Sequence, residues 1–119
     1  MSTILFCEDD PAIHKLIRMA LRNSPHDVLM AHDGAEGLAM VKAHKPTIVF
    51  SDVAMPIMDG FQLADAMRAD PELAAIPIVF ITASIQRADV EEATRRGALR
   101  VIGKPFTVVQ LRELVAAVL

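Results

Sequence analysis

The chain has 119 residues, of which 53% are hydrophobic and 4% aromatic, with no Trp and no Tyr. That composition suits one compact domain with an aliphatic core and argues against disorder or base stacking on aromatic platforms. The net charge of −3 argues against broad binding to nucleic acid or an anionic membrane, and the single cysteine, Cys7, excludes an internal disulfide and suits a reducing compartment.

The chain opens with TILFC (residues 3–7), a short apolar run of strand type. In PAIHKLIRMALRN (11–23), Ile13, Leu16, Ile17, Ala20 and Leu21 are spaced for one helix face. Asp10 is placed to cap that helix, and Pro11 suits its first turn. DVLMA (27–31) reads as a second strand. Asp33 with Glu36 has the spacing of a capping box, and the helix it opens ends near KAHKP, where basic residues complement the helix dipole. TIVFSD (47–52) is a third strand, and GFQLADAMRAD (60–70) a third helix, closed by Pro71. In the loop between them, Pro56 stiffens the chain and Gly60 permits a turn that other residues resist.

IPIVFITA (76–83) is the strongest strand signal, a continuous apolar run of the kind buried on both faces. QRADVEEATRRG (86–97) reads as a polar helix ending at a glycine cap. LRVIG (99–103) is a fifth strand, and TVVQLRELVAAVL (107–119) a fifth helix, opened by Thr107 and Gln110 in capping-box spacing. Five strand–helix units in alternation predict a parallel sheet covered on both faces. Periodicity leaves the strand order open. No uninterrupted apolar run approaches the roughly 18 residues of a membrane span. The first residues lack a basic region followed by a long apolar run, so no secretory signal is expected and a cytoplasmic location is.

Ligands of such sheets bind beyond the carboxyl ends of the strands. The first strand ends in Glu8, Asp9 and Asp10, the third in Asp52, and the fourth in Thr82, Ala83 and Ser84. The fifth leads to Lys104 and Pro105. Glu8, Asp9 and Asp52 would repel one another if brought together without a partner. A hard divalent cation such as Mg²⁺ resolves that repulsion and leaves room for phosphate oxygens. Lys104 adds a positive charge and Thr82 a hydroxyl. A carboxylate in this setting can act as a nucleophile and become an aspartyl phosphate.

Four segments, CEDD, SDVAMPIMDG, ITAS and GKPF, each at a strand end and in this order, resemble the receiver domains of bacterial two-component response regulators. The resemblance covers essentially the whole chain, as a single receiver domain over residues 1–119. It implies a flavodoxin-like, doubly wound α/β fold with five helices and strand order 2-1-3-4-5. It implies Asp52 as phosphoacceptor, and Glu8, Asp9, Asp52 and the Ala54 carbonyl as Mg²⁺ ligands. Thr82, the Ala83 N–H and Lys104 would contact the phosphoryl group, with Lys104–Pro105 held cis. The implied donor is a sensor histidine kinase or a histidine phosphotransfer protein. The domain would catalyse only its own phosphorylation and dephosphorylation, then bind an unknown downstream protein or a second copy of itself. Neither nucleic acid nor membrane is expected as a direct partner. Ala54 and Ser84 occupy positions that tune hydrolysis in the family.

Many receivers carry Tyr or Phe where this chain has Val101, three residues before the lysine. Valine is small and stiff at χ1. Switching through Thr82 and position 101 is therefore expected to be weaker here, or to pass through the loops after the third and fourth strands. The fourth helix, fifth strand and fifth helix carry Arg87, Arg95, Arg96, Arg100 and Arg112, a basic face on an acidic chain. That face is either solvated or suited to an acidic partner or a symmetric dimer. Asp10 and Asp59 read as helix caps, Cys7 as a buried strand residue, the methionines as core filler, and His14, His26, His32 and His44 as surface or helix residues rather than zinc ligands. Two rivals remain open. An aspartyl phosphohydrolase commonly places a second Asp two residues after the nucleophile, where this chain has Ala54. A flavin-binding module needs a Ser/Thr/Gly-rich loop after the first strand, where this chain has EDDP.

Overall fold

A computed structural model describes residues 2–83 and 85–119. The chain runs β1 (Thr3–Cys7), α1 (Pro11–Ala20), β2 (Asp27–Ala31), α2 (Gly34–His44), β3 (Ile48–Asp52), α3 (Gly60–Ala69), β4 (Ile78–Thr82), α4 (Arg87–Arg95), β5 (Arg100–Gly103) and α5 (Val108–Val118). The strands are all parallel, in the order β2-β1-β3-β4-β5. Each expected element is present. The differences are confined to ends, as with α1, which stops at Ala20 rather than Asn23.

Strand alternation sorts the core into two layers. Ile4, Phe6, Ile48, Phe50, Val79 and Ile81 face α1 and α5, and Phe6 stacks on Phe50 at 4.8 Å. Leu5, Cys7, Val49, Ile78 and Phe80 face the other way, against Val41 of α2, Leu63 of α3 and Ala93 of α4. All five residues of β3 are buried. The central strand is thus covered on both sides, as an uninterrupted apolar run requires, and Asp52 is carried at its end. Among the described residues no helix is long and apolar enough to cross a membrane.

The helix ends follow the sequence signals. Asp10 accepts from Ala12 N–H, and Asp59 with Gln62 and Thr107 with Gln110 form reciprocal capping boxes. At α2 only half a box forms: Asp33 accepts from Glu36 N–H, while the Glu36 carboxylate turns to His32 at 3.2 Å. Gly97, at φ +87°, closes α4: its N–H bonds to Thr94 O and that of Ala98 to Ala93 O, the paired pattern of a left-handed glycine stop. Gln86 provides α4 with no side-chain cap.

The loop after β3 differs in one respect. Gly60 is needed for close approach rather than for a turn: a Cβ there would lie 2.3 Å from the Asp52 main-chain oxygen. The left-handed residue is Ile57, at φ +69°, inside a three-residue turn closed by Met58 N–H to Pro56 O at 2.7 Å.

Candidate functional site

Parallel strands end on one edge, so residues distant in sequence meet there. Glu8 follows β1, Asp52 ends β3, and Thr82 ends β4 one step beyond the Ile81 that pairs with Asp52. Lys104 follows β5 and is tied back by its N–H to Thr82 O at 2.8 Å. The Lys104–Pro105 bond is cis. From this position the Lys104 ammonium donates to Glu8 Oε1 at 2.6 Å and to Asp52 Oδ2 at 2.8 Å. Oxygens of Glu8, Asp9 and Asp52 lie within 4.8 Å of one another. Asp9 is exposed, whereas Glu8 and Asp52 are buried.

The electrostatics follow from that crowding. Burial pushes the Glu8 carboxyl up from 4.5 to about 7; the Asp52 carboxylate adds to the shift and Lys104 opposes it. Burial pulls Lys104 down, but Asp52 and Glu8 outweigh it and hold the ammonium above the ordinary lysine value. Two acids and one lysine leave an excess of negative charge that a single ammonium does not balance. Glu8 Oε2 is buried and has no hydrogen-bond partner among the described residues. A buried carboxylate with one unpartnered oxygen, clustered with two further carboxylates, fits an all-oxygen donor set for a hard divalent cation. Ala54, two residues past Asp52, is exposed, and its N–H reaches Asp52 Oδ1 at 3.4 Å. Thr82 is half-buried at the same edge, and Ala83 is exposed beside it. Ser84 lies outside the described residues.

Asp10 and Asp59 stay away from the cluster as caps. Burial pushes the Cys7 thiol up to about 12, so it carries no thiolate and acts as core. On the face formed by α4, β5 and α5 most of the arginines are paired with acids. Arg87 pairs with Glu91, Arg95 with Glu92, and Arg96 with Glu92 and Asp65. Arg96 also lies 4.7 Å over the Phe61 ring, and Arg112 turns away to Ala20 O at 2.8 Å. Acids one helical turn away, together with α3, neutralise most of the arginines. Val101 is half-buried, level with Phe80 on the α3–α4 side of the sheet.

His14, expected at the surface or on a helix, is on a helix but buried beside the cluster. It lies on α1 but is only 4% exposed, and its Nε2 donates to the Glu8 main-chain carbonyl. The signal was present: residues 14, 17 and 21 share the inward spacing of the helix, and all three are buried.

An open parallel α/β sheet with a lysine-bridged acidic cluster at its carboxyl edge defines the class: a doubly wound domain whose rim gathers carboxylates that could hold a cation. Comparison with known proteins narrows this. The profile of the response regulator receiver domain matches residues 4–116. The chain is 35% identical to protein PilH of Pseudomonas aeruginosa, covering all of this chain and 98% of PilH. It is 34% identical to the transcriptional regulator RpaA of Synechocystis over all of this chain but 49% of RpaA, about half that relative's length. Chemotaxis response regulator CheY4 of Vibrio cholerae superposes with a TM-score of 0.92 at 28% identity, over 100% of this chain and 99% of CheY4. The phosphorylated cyanobacterial phytochrome response regulator RcpA gives 0.84 at 29% identity, over 98% and 90%. The chain belongs to the response regulator receiver domain family, the signalling domains of two-component systems.

Proposed function

We propose that residues 1–119 act as a single receiver domain in which Asp52 accepts a phosphoryl group from a phosphohistidine. The observation that carries this reading is the Lys104 ammonium bridging Glu8 and Asp52 while Glu8 Oε2 has no partner among the described residues. Glu8, Asp9 and Asp52 would hold Mg²⁺ together with the Ala54 carbonyl, Asp9 directly and Glu8 through water. When bound, the cation neutralises charge on the transferring phosphoryl oxygens. A carboxylate oxygen of Asp52 forms the new O–P bond as the N–P bond of the donor breaks, and the electron pair stays on the departing imidazole, which takes up a proton. Lys104 offsets charge on the phosphoryl group, and the Thr82 hydroxyl and Ala83 N–H donate to its oxygens. The domain turns over no free substrate. It passes the signal on by shifting Thr82 and its neighbours and so changing the surface of α4, β5 and α5. Its upstream partner is a sensor histidine kinase or histidine phosphotransfer protein, and its output partner is a protein, in the cytoplasm. With Val101 at the switch position, more of the shift runs through the loops after β3 and β4.

The three carboxyl groups of Glu8, Asp9 and Asp52 at the strand ends support this over a flavin site, whose phosphate such a cluster would repel. Ala54 supports it over an aspartyl phosphohydrolase, which would want an acid there. Mass spectrometry after incubation with acetyl phosphate and Mg²⁺ tests the reading. One phosphoryl group is expected on the wild type and none on Asp52→Asn. An unmodified wild type, or equal labelling of Asp52→Asn, overturns it.

A further inference from the structure

We infer that His14 is a positioning residue for the acidic pair Glu8–Asp9, through its hydrogen bond to the peptide group that joins them. The inference rests on the metal-site reading above and goes beyond it, since His14 touches neither the cation nor the phosphoryl group.

Four polar or charged side chains are buried among the described residues: Glu8, Ser51, Asp52 and His14. The first three belong to the strand ends that build the site. His14 comes from a helix, one turn past the Asp10 cap. Helical side chains lean back toward the N-terminus, so the His14 ring lies over the loop that precedes α1. There its Nε2 donates to the Glu8 carbonyl. The Glu8 N–H is fixed from the other direction, donating to Ala31 O at 3.0 Å at the end of β2. Both main-chain groups of Glu8 are thereby held, one by β2 and one by α1. The next residue after Ala31 is His32, whose ring lies 4.9 Å from that of His14 at an interplanar angle of 42°. His32 is in turn held by Glu36. The contacts hold the peptide units on both sides of the Glu8 Cα, and His14 holds the one that joins Glu8 to Asp9.

That peptide is the link between two adjacent carboxylates. If its plane rotates, Asp9 swings relative to Glu8, and the oxygens now within 4.8 Å of each other and of Asp52 separate. The strand holds Glu8 only as far as its N–H; beyond that point the β ladder has ended. A buried carbonyl without a partner is also unfavourable, so loss of the His14 donor drives the peptide to turn toward water. Residues that hold metal ligands in place without touching the ion typically change affinity by about 10–100-fold.

The test compares Mg²⁺ binding by calorimetry and thermal melting in EDTA for wild type, His14→Leu, His14→Gln and His14→Asn. The Gln amide nitrogen reaches about the place of Nε2; that of Asn stops short. We expect Gln to bind Mg²⁺ within about threefold of wild type, and Leu and Asn at least about tenfold more weakly. If His14→Leu does not fold, the Gln–Asn pair decides. Binding by Asn equal to Gln, or losses that track the fall in melting temperature across all the variants, overturns the positioning role. A wild type that binds no Mg²⁺ overturns the metal site itself and is distinguishable from either.

Discussion

Replacing Glu8 by Gln should remove a specific pH dependence of stability. Glu8 is 3% exposed, and its carboxyl titrates near 7 in the folded chain against 4.5 in an open one. The folded state therefore binds a proton that the unfolded state releases between those values, and stability falls as pH rises through that window. A gap of this size corresponds to roughly 3 kcal/mol, on the order of 10 °C in melting temperature for a domain of this size. Below about pH 4.5 the contribution is fully present, and above about pH 7 it is gone. Thermal melts of metal-free wild type and Glu8→Gln from pH 4.5 to 8 isolate it as a difference, because groups outside the Glu8–Asp52–Lys104 cluster titrate alike in both. The wild type should lose stability relative to Glu8→Gln across the window. Mg²⁺ should reverse the loss, because the cation binds the ionised form, and its affinity should weaken about tenfold per pH unit below 7. Parallel curves for the two proteins would refute the reasoning.

Three further outcomes are expected. Gly60→Ala places a methyl 2.3 Å from Asp52 O and 3.0 Å from Val53 Cα, both backbone atoms. It should cost about 1–3 kcal/mol in urea unfolding and slow acetyl phosphate labelling; a midpoint unchanged from wild type would count against it. Ile57→Gly should raise stability by about 0.5–1 kcal/mol, since a β-branched residue at φ +69° is strained while being 83% exposed, with little packing to lose. Unchanged or lowered stability in the same urea assay would contradict the strain. Val101→Phe should enlarge the NMR shift changes over α4, β5 and α5 on phosphorylation. If the wild type already shows the full response and the aromatic adds nothing, the weaker switch is wrong.

Much of the site could be read from local sequence because parallel topology turns order into place. Every β-to-α junction of such a sheet opens on the same edge, so the residues after TILFC, TIVFSD and IPIVFIT, and those after LRVIG, had to be neighbours. Asp10, Asp59 and Thr107 were legible for a similar reason: a cap bonds within three residues of itself. Contacts beyond that range were not. The sequence marks Arg96 as a surface cation, but only the placement of α3 beside α4 sets it over Phe61 and against Asp65. Gly60 reads as a turn residue, yet its reason is the Asp52 backbone lying against it.

By itself, then, the order of apolar runs and helix caps determined the alternating α/β architecture and which junctions carry the acids, because those signals act over a few residues and one topology. The tertiary structure alone decided that Lys104 spans both Glu8 and Asp52, and that Glu8 keeps one oxygen without a partner among the described residues. Those outcomes depend on distances and burial between segments up to 96 residues apart, which no local pattern encodes.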